Sequence, residues 1–388
     1  MSQNIQSPCV RHTLPKGQLV VRADGHTKSY HPQLLILTFW NSVESQNCTT
    51  QPMKDYNSNS KIQAQFNQLG IDELKALVQR QAPNISTTFT IGDFGCSHGG
   101  NSMTIINAIL DSIQATRKDT TPLSVQVYHN DLPSNDFEEV FKCLHDPNLT
   151  YQYHSLLKVN PDNQILTMIS AKSFYSQCLP SNHLDIGVAF NCAHWLQDIP
   201  IPLYRPLTFA SSKITAQEKH QLQEESHREL VAFLQSRSIE LRDGGHMMFS
   251  VLSQYEGLKD FDDIWQQHIE ENNIDIMLLD AATIPLFPRI REDIERAIQE
   301  VPTLNLVKCT PNSHPCLFGH GDYGIAQMKA FTWPQIQAGL AKRQVFSNET
   351  QLEEFIEEYF RKIQRFYENR EEQMLTLLFS TVEKVSNA

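Results

Sequence analysis

A short apolar strand that runs into a glycine-rich turn and then a helix constrains this chain more than any other feature. Residues 91–101 read Ile-Gly-Asp-Phe-Gly-Cys-Ser-His-Gly-Gly-Asn. Such a turn brings backbone N–H groups and a helix N-terminus close to a polar ligand. A second apolar run, residues 124–129, ends in Asn-Asp-Leu-Pro, and this places the Asp131 carboxylate where a ribose diol would lie. Together the two segments predict a site for an adenosine-containing cofactor.

Helical and strand-like patterns alternate through the middle of the chain. Apolar residues recur at helical spacing from Ile62 to Val78, before the turn, and residues 105–113 present one apolar helix face after it. Further strands are predicted at residues 124–129, 184–190 and 246–252. This alternation predicts an α/β fold whose parallel sheet is covered by helices on both faces.

The last third of the chain departs from that alternation. Residues 255–302 read as helical segments broken by prolines, which predicts an inserted cap that would enclose a ligand. Residues 352–372 carry an apolar helical stripe. We expect this helix to lie on the sheet rather than in a dimer seam, because the stripe does not persist over enough heptads. An apolar run at residues 374–382 predicts a last strand.

The N-terminal extension, residues 1–52, mixes Pro, Gln, Ser, Asn and Thr without a sustained period, so we expect it to be partly flexible. Its apolar run, residues 34–40, is far too short to span a bilayer, and no basic leader precedes it. We therefore expect a cytoplasmic protein with no membrane partner.

The charge balance argues against nucleic acid as a partner. The chain has 32 basic and 44 acidic residues, for a net charge of −12, and its lysines and arginines form no cluster. A small molecule therefore fits better as the partner.

The eight cysteines lack the regular spacing of a disulfide framework, so reduced thiols are expected. The densest patch runs from Cys309 to Cys316 and is followed by His320. A zinc site is conceivable there, but the spacing is not that of a zinc finger or knuckle. We expect a proline-rich loop and no metal site.

Five ordered patterns between about Met53 and Val385 resemble a bacterial-type member of the SABATH family of methyltransferases that use S-adenosyl-L-methionine (SAM). Members of this family methylate the carboxylates of small plant acids and hormones, or the ring nitrogens of purine alkaloids. The patterns are residues 53–63 (Met-Lys-Asp-Tyr-Asn-Ser-Asn-Ser-Lys-Ile-Gln), 91–101, 130–137 (Asn-Asp-Leu-Pro-Ser-Asn-Asp-Phe), 173–175 (Ser-Phe-Tyr) and 194–196 (His-Trp-Leu).

The resemblance implies a class I, Rossmann-like methyltransferase fold with a seven-stranded mixed sheet whose last strand is antiparallel. It divides the chain into the extension at 1–52, a methyltransferase domain at 53–254 and 303–388, and a helical cap at 255–302 over the substrate pocket. It also implies a homodimer.

The cofactor implied by the resemblance is SAM, and its product is S-adenosyl-L-homocysteine (SAH). Taken alone, Asp131 also fits a helix N-cap and Phe174 also fits ordinary core packing. The matching residues are Tyr56 and Gly95 at the cofactor, Ser60 for its methionine carboxylate, Asp93 and Asn101 for its amino-acid end, Asp131 for both ribose hydroxyls, Leu132 for packing on adenine, and Ser173 with Phe174 for the edge and face of adenine.

On the acceptor side, the resemblance makes Gln63 and Trp195 the catalytic pair that grips a substrate carboxylate. A buried structural role for Trp195 is the alternative. The family usually has a Tyr where this chain has Asn191, so the pocket is expected to be more polar or roomier there. The implied substrate-binding residues are Gln63, Asn191, His194, Trp195, Ile264 and Trp265.

The predicted reaction gives the methyl ester of a small aromatic or isoprenoid-like acid. A carboxylic acid is ionised at neutral pH, so no general base is assigned. The alternatives are N-methylation of a small heterocycle and a non-catalytic SAM-binding protein. An oxidoreductase that uses nicotinamide is disfavoured because the turn lacks the Gly-x-Gly-x-x-Gly pattern.

Overall fold

The computed structural model describes residues 50–81, 85 and 87–386. Of the N-terminal extension, only residues 50–52 are therefore described, and the flexibility predicted for the rest lies outside the described residues. No helix within the described ranges has the length and apolar character needed to cross a membrane.

A mixed sheet of seven strands forms the centre of the fold. The strands are β1 (Thr88–Phe94), β2 (Ser124–Asp131), β3 (Gln164–Ala171), β4 (Leu184–Ala189), β5 (Leu241–Tyr255), β6 (Leu304–Cys316) and β7 (Gln373–Lys384). They lie in the order β3-β2-β1-β4-β5-β7-β6, and β7 runs antiparallel to both of its neighbours. The other pairings are parallel. The predicted seven-stranded mixed sheet with an antiparallel last strand is confirmed.

Helices cover this sheet and pack against one another. They are α1 (Lys61–Gln81), α2 (Gly100–Thr116), α3 (Phe137–His145), α4 (Leu156–Val159), α5 (Ala216–Glu240), α6 (Gly257–Glu271), α7 (Arg291–Gln299), α8 (Gly321–Lys342) and α9 (Glu349–Tyr367). Helix α1 contacts α2, α5 contacts α7, and α9 contacts both α6 and α8.

The strand before the glycine-rich turn is β1, and the helix after it is α2. Strand β1 is buried along almost its whole length because it lies between β2 and β4. The apolar residues of α2 recur every three or four positions, so they share one face, and that face is buried in the core. The periodicity of the sequence therefore fixes this unit locally.

The sequence pattern does not predict strand β3, and it predicts a loop for the patch from Cys309 to Cys316. That prediction is wrong: these residues belong to β6, which pairs with β7 through Cys316 and Gln373. Because β6 is an edge strand, its prolines need not donate to a second neighbour, so they do not prevent pairing.

The prediction that the C-terminal amphipathic helix lies on the sheet is also wrong. Helix α9 packs its apolar face on α6 and α8. The Trp265 ring of α6 lies 5.3 Å from Tyr359 and 5.8 Å from Phe355, centroid to centroid. An apolar stripe predicts that a helix face is buried, but it does not specify the partner.

A close approach between α8 and the preceding chain gives a testable prediction. A Cβ at Gly339 would lie 2.0 Å from the carbonyl oxygen of Ala281, so the backbone would have to shift. We expect Gly339→Ala to lower the free energy of unfolding by about 2–4 kcal/mol, measured by urea denaturation. The control is Ala338→Ser at the neighbouring half-buried position, with an expected change of about 0.5 kcal/mol. Equal effects of the two substitutions would contradict this interpretation.

Candidate active site

Two adjoining cavities lie at the ends of the central strands. The first spans about 700 Å³ and the second about 480 Å³, each including space that is open to solvent, and their walls share Met53, Tyr56, Asn191 and Trp195. The first cavity is lined by residues 50–53, 131–132, 173–175 and 190–192 with Tyr56, Gly95, Ser97, Asn135, Trp195 and Gln197. The second is lined by Met53, Tyr56, Gln63, Phe66, Asn191, His194, Trp195, Leu252, Leu286, Phe318, Phe331, Leu375 and Leu377. A ligand in one cavity would therefore face a ligand in the other.

The glycine-rich turn supplies part of the first wall. Gly95 has φ +75°, and a Cβ there would lie 2.7 Å from the Cys192 Cβ, so both its conformation and the space around it require glycine. Ser97 follows with φ +48°. Within the described residues its buried hydroxyl has no hydrogen-bond partner, although it lines the cavity. This hydroxyl is therefore available to a polar ligand.

Asp131 lies at the end of β2 in the same wall. Its Oδ2 accepts the Ser97 N–H at 2.6 Å, and its Oδ1 accepts the Leu132 N–H at 2.8 Å. Burial raises the pKa of this carboxyl to about 6, and no Lys or Arg in the described ranges pairs with it. The residue that caps α3 is Asp136, which accepts the Glu138 N–H, so the N-cap interpretation of Asp131 is wrong.

The residues assigned to adenine lie together in the first cavity. Leu132, Ser173 and Phe174 all line it. The Ser173 hydroxyl donates to Gln197 Oε1 at 2.7 Å, and the half-buried Phe174 ring meets Phe233 edge to face. Phe174 therefore both packs on the core and presents part of its ring to the cavity.

The residues assigned to the amino-acid end lie next to Tyr56. The Tyr56 hydroxyl lies beside the Asn101 side chain, and Asn101 Nδ2 donates to Ser60 Oγ at 3.3 Å. Asp93 lies at the end of β1, where it is buried and accepts a hydrogen bond from His129. Tyr56 thus connects Ser60 and Asn101 to both cavities.

These observations fit SAM. The Asp131 carboxylate has lone pairs left after its two backbone contacts, so it can accept a diol, and the unpaired Ser97 hydroxyl offers a further polar contact. The aromatic Phe174 suits a flat base. The described residues therefore provide for the sugar and the base. Ser60, Asp93 and Asn101 belong to neither cavity wall and lie behind it, next to Tyr56 and the end of β1.

The second cavity has an apolar wall with a few polar groups at one side. Gln63 Oε1 is buried and has no partner among the described residues. The Trp195 indole lines both cavities, and its ring centroid lies 6.1 Å from that of Phe331. Neither its Nε1–H nor the Gln63 amide nitrogen donates to any described residue. Two donors are therefore left for a ligand.

His194 adds a third donor. Its Nδ1 accepts the Leu252 N–H at 3.0 Å, and burial, aided by the nearby Arg289 charge, lowers its pKa to about 3. The imidazole is therefore neutral, and its single proton is on Nε2. His194 lines the second cavity, so this N–H is available there.

Asn191 lies where the two cavities meet, in a left-handed conformation with φ +58°. Its Nδ2 donates to Asn67 Oδ1 at 2.7 Å, and its backbone N–H donates to Ser250 Oγ at 2.9 Å. Where the family usually has a Tyr ring, this chain therefore has the Asn191 side chain, paired with the Asn67 amide.

Ile264 and Trp265 do not line the acceptor cavity as predicted from the resemblance. Both are buried in α6 and belong to neither cavity wall. Trp265 packs instead against Phe355 and Tyr359 of α9. The reason is that α9 covers this face of α6. Leu286, Phe318 and Phe331 supply the apolar wall in their place.

The loop after β4, residues 190–198, carries much of the site, and distant residues hold it. Arg289 is fully buried and donates from Nε to the Ala193 carbonyl at 2.9 Å. The Tyr175 hydroxyl donates to the Trp195 carbonyl at 2.6 Å. Glu229 accepts the backbone N–H groups of residues 197 and 198. No sequence pattern predicts these contacts, because the partners are far apart along the chain.

Residues 50–56 close both cavities from another side. The backbone N–H of Gln51 donates to Gln335 Oε1, and Gln335 Nε2 donates back to the Gln51 carbonyl, each at 2.8 Å. The Lys54 N–H donates to the Ala330 carbonyl at 3.0 Å. Helix α8 therefore holds this segment, including residues 50–52, for which the sequence composition predicts flexibility.

A buried carboxyl gives the second prediction. Burial raises the pKa of Glu229 to about 7 from 4.5, so ionisation costs more in the folded than in the unfolded chain. The contribution of Glu229 to the free energy of unfolding is therefore largest below about pH 4.5 and is lost as the pH rises through about 7. We expect Glu229→Gln to gain about 2 kcal/mol of unfolding free energy relative to the parent between pH 5.5 and pH 8.

The measurement is urea denaturation at both pH values. The control is Glu224→Gln, an exposed position on the same helix, for which the difference from the parent should not change with pH. A constant difference for Glu229→Gln as well would contradict the assigned burial effect.

One group of possible metal ligands exists among the described residues: Asp93, Cys96 and His129, whose ligand atoms lie within 4.8 Å of one another. Both imidazole nitrogens already have partners, since Nδ1 faces Asp93 at 3.0 Å and Nε2 faces the Tyr151 hydroxyl at 2.9 Å. We therefore interpret the group as part of a hydrogen-bond network.

The chain is similar to known methyltransferases. The profile of a family described as SAM dependent carboxyl methyltransferase matches residues 49–383. A 3,7-dimethylxanthine N-methyltransferase 2 of Coffea arabica is 27% identical over 58% of this chain and 63% of its own length. A probable jasmonic acid carboxyl methyltransferase 1 of Theobroma cacao is 29% identical over 51% of this chain and 56% of its own length. The chain thus matches less than two thirds of the length of either relative.

A solved structure, described as loganic acid methyltransferase with SAH, has a similar fold. The TM-score is 0.65 at 20% sequence identity, and the alignment covers 87% of this chain and 99% of that one. At this identity the likeness establishes the architecture of the fold.

Proposed function

The chain belongs to the family of SAM-dependent carboxyl methyltransferases, and we propose that it transfers the methyl group of SAM to the carboxylate of a small acid. The products would be a methyl ester and SAH. The observation that carries this proposal is that Gln63, His194 and Trp195 line the second cavity, beside a largely apolar wall, with side-chain N–H groups that donate to no described residue. Three donors suit an anion whose body is apolar.

When bound, SAM supplies an electrophilic methyl carbon on a sulfonium centre. Asp131 would accept the ribose hydroxyls, Leu132 and Phe174 would pack on adenine, and Ser173 would contact its edge. Ser60, Asp93 and Asn101 would hold the amino-acid end, and Tyr56 and Gly95 would complete the wall. These contacts would direct the reactive end of the cofactor toward the second cavity, because the two cavities share part of their walls.

Catalysis in this proposal consists of positioning and exclusion of water. The acid arrives ionised, so no described residue has to remove a proton. His194 is neutral and donates through Nε2, so it orients the carboxylate without acting as a base. Holding the two reactants in line can lower the activation free energy by up to about 7–11 kcal/mol. Residues 50–56 would exclude water from the reacting groups.

The apolar wall supports the aromatic or isoprenoid-like class of acid. Leu252, Leu286, Phe318 and Phe331 offer no hydrogen bonds from their side chains, so a compact hydrocarbon body fits them better than a sugar.

A second candidate function is N-methylation of a small heterocycle. The 27% identity to the Coffea arabica N-methyltransferase favours it. The unpaired Gln63 Oε1 favours it too, because this oxygen can accept a hydrogen bond from a ring N–H. An anion leaves that acceptor atom unused, whereas a heterocycle could use it.

The test is to incubate the full chain with SAM labelled in the methyl group and a panel of aromatic acids, isoprenoid acids and purines. A base-labile ester, which releases labelled methanol on mild alkaline treatment, is the expected product. A product labelled only at nitrogen would replace the ester proposal with the second candidate. Binding of SAH without turnover of any acceptor would support a non-catalytic SAM-binding protein instead.

Three further expectations belong to this proposal. We propose that the chain acts in the cytoplasm, that it forms a homodimer, and that residues 255–302 form a cap on a domain composed of residues 53–254 and 303–388. Light scattering on the purified chain tests the dimer, for which a mass of twice 44.5 kDa is expected. A mass of a single chain at micromolar concentration would contradict it.

A further inference from the structure

A buried chain of hydrogen bonds ends on the Asp93 carboxylate. His129 Nδ1 lies 3.0 Å from Asp93 Oδ2, and His129 Nε2 lies 2.9 Å from the Tyr151 hydroxyl. That hydroxyl lies 2.8 Å from the Thr167 hydroxyl, which also accepts from Gln152 Nε2. His129, Tyr151 and Thr167 are completely buried. The network therefore has no access to water from the His129 end onward.

The protons of this network can be ordered in one direction. With Asp93 ionised and His129 neutral, the proton on Nδ1 must point at Asp93, so Nε2 is an acceptor and must receive the Tyr151 proton. The Tyr151 oxygen then accepts from Thr167, and Thr167 accepts from Gln152. Burial raises the pKa of Tyr151, which keeps its proton in place for donation.

This order has a geometric consequence. In the neutral imidazole the Tyr151 hydroxyl occupies Nε2, so the Nδ1 proton points at Asp93 and holds its carboxylate in one orientation. The arrangement therefore orients a buried carboxylate whose remaining lone pairs can receive an ammonium group.

We propose that His129, supported by Tyr151, is a positioning residue that holds Asp93 ready for the ammonium group of SAM. The inference rests on the proposed function, and specifically on the role of Asp93 at the amino-acid end of the cofactor. It adds two residues that do not touch the cofactor and that act on it only through Asp93.

The experiment compares two ligands on three variants by calorimetry. SAH carries the ammonium group, whereas 5′-methylthioadenosine has the same adenosine and sulfur but lacks the amino-acid end. We expect His129→Leu and Tyr151→Phe to weaken SAH binding about 10-fold, since one charge-assisted hydrogen bond contributes about 1.5–3 kcal/mol. Affinity for 5′-methylthioadenosine should change less than 2-fold. His129→Gln should restore most of the SAH affinity, because its amide can donate to Asp93 and accept from Tyr151.

Tyr151→Phe removes a single oxygen, so it keeps the test available if His129→Leu does not fold. An equal loss of affinity for both ligands would overturn the inference and show a merely structural role. Unchanged SAH affinity in folded Tyr151→Phe and His129→Leu would overturn it too. Failure of the unmodified chain to bind either ligand would be a different result, since it would contradict the proposed function itself.

Discussion

Replacing Asp131 with asparagine is expected to weaken the binding of SAH by about 100-fold or more. The carboxylate faces the first cavity with no cationic partner in the described residues, and two charge-assisted hydrogen bonds to a diol contribute about 3 kcal/mol or more. Titration calorimetry at pH 8 is the measurement, because the pKa of about 6 leaves the carboxyl ionised there. The affinity of the unmodified chain should fall as the pH drops below about 6, since the protonated carboxyl loses acceptor capacity.

The matched control is Asp136→Asn. Asp136 caps α3 through the Glu138 N–H and lies outside both cavity walls, and asparagine is an equally good N-cap. SAH affinity should therefore stay within about 2-fold of the parent. If Asp131→Asn folds normally, as judged by thermal unfolding, and still binds SAH like its parent, the assignment of the ribose to Asp131 is wrong.

Trp195→Phe and Gln63→Leu are expected to lower kcat/KM for the methyl acceptor by about 10- to 100-fold each, with little change in SAH affinity. Each substitution removes one donor that faces the second cavity and keeps most of the apolar contact. One hydrogen bond to a charged group is worth about 1.5–3 kcal/mol, which sets the magnitude. Steady-state kinetics with the best acid of the panel and SAH calorimetry provide the two readouts.

Trp333→Phe is the matched control for Trp195→Phe. Trp333 lies on α8, donates to Gln337 at 3.2 Å and stacks on Phe360, away from both cavity walls. Its kcat/KM should stay within about 2-fold of the parent. Unchanged kinetics in both Trp195→Phe and Gln63→Leu would mean that the carboxylate is held elsewhere.

The parts of this molecule that local sequence determines were predicted well. Strand β1, the turn at Gly95 and helix α2 follow one another directly, so periodicity and glycine chemistry specify them without knowledge of the rest. Asp131 could be placed because a parallel β1–β2 pair brings the two strand ends to the same edge. The family resemblance then added Gln63 and Trp195, and both line the second cavity.

The errors concern partners rather than elements. Residues 264 and 265 were placed on a helix correctly, but nothing in their spacing reveals that α9 covers them. The prolines in β6 resemble loop residues unless one knows that the strand lies at the edge of the sheet.

The same reason explains the residues that the sequence did not reveal. Glu229 and Arg289 reach the loop at 190–198 from α5 and from the segment before α7, and His129 meets Tyr151 from a separate element. Such contacts depend on tertiary packing, which periodicity and motifs do not encode. The position of a buried polar residue in a strand or helix does not identify the residue with which it forms a hydrogen bond.

The measurement that tests the central claim most directly is titration of the folded full chain with SAH, followed by the same titration with NAD. We predict saturable heat with SAH at one site per chain, loss of that heat in Asp131→Asn, and no heat with NAD. Well-folded protein that gives no heat with either SAH or SAM would contradict the account, and heat with NAD alone would replace it with the oxidoreductase alternative.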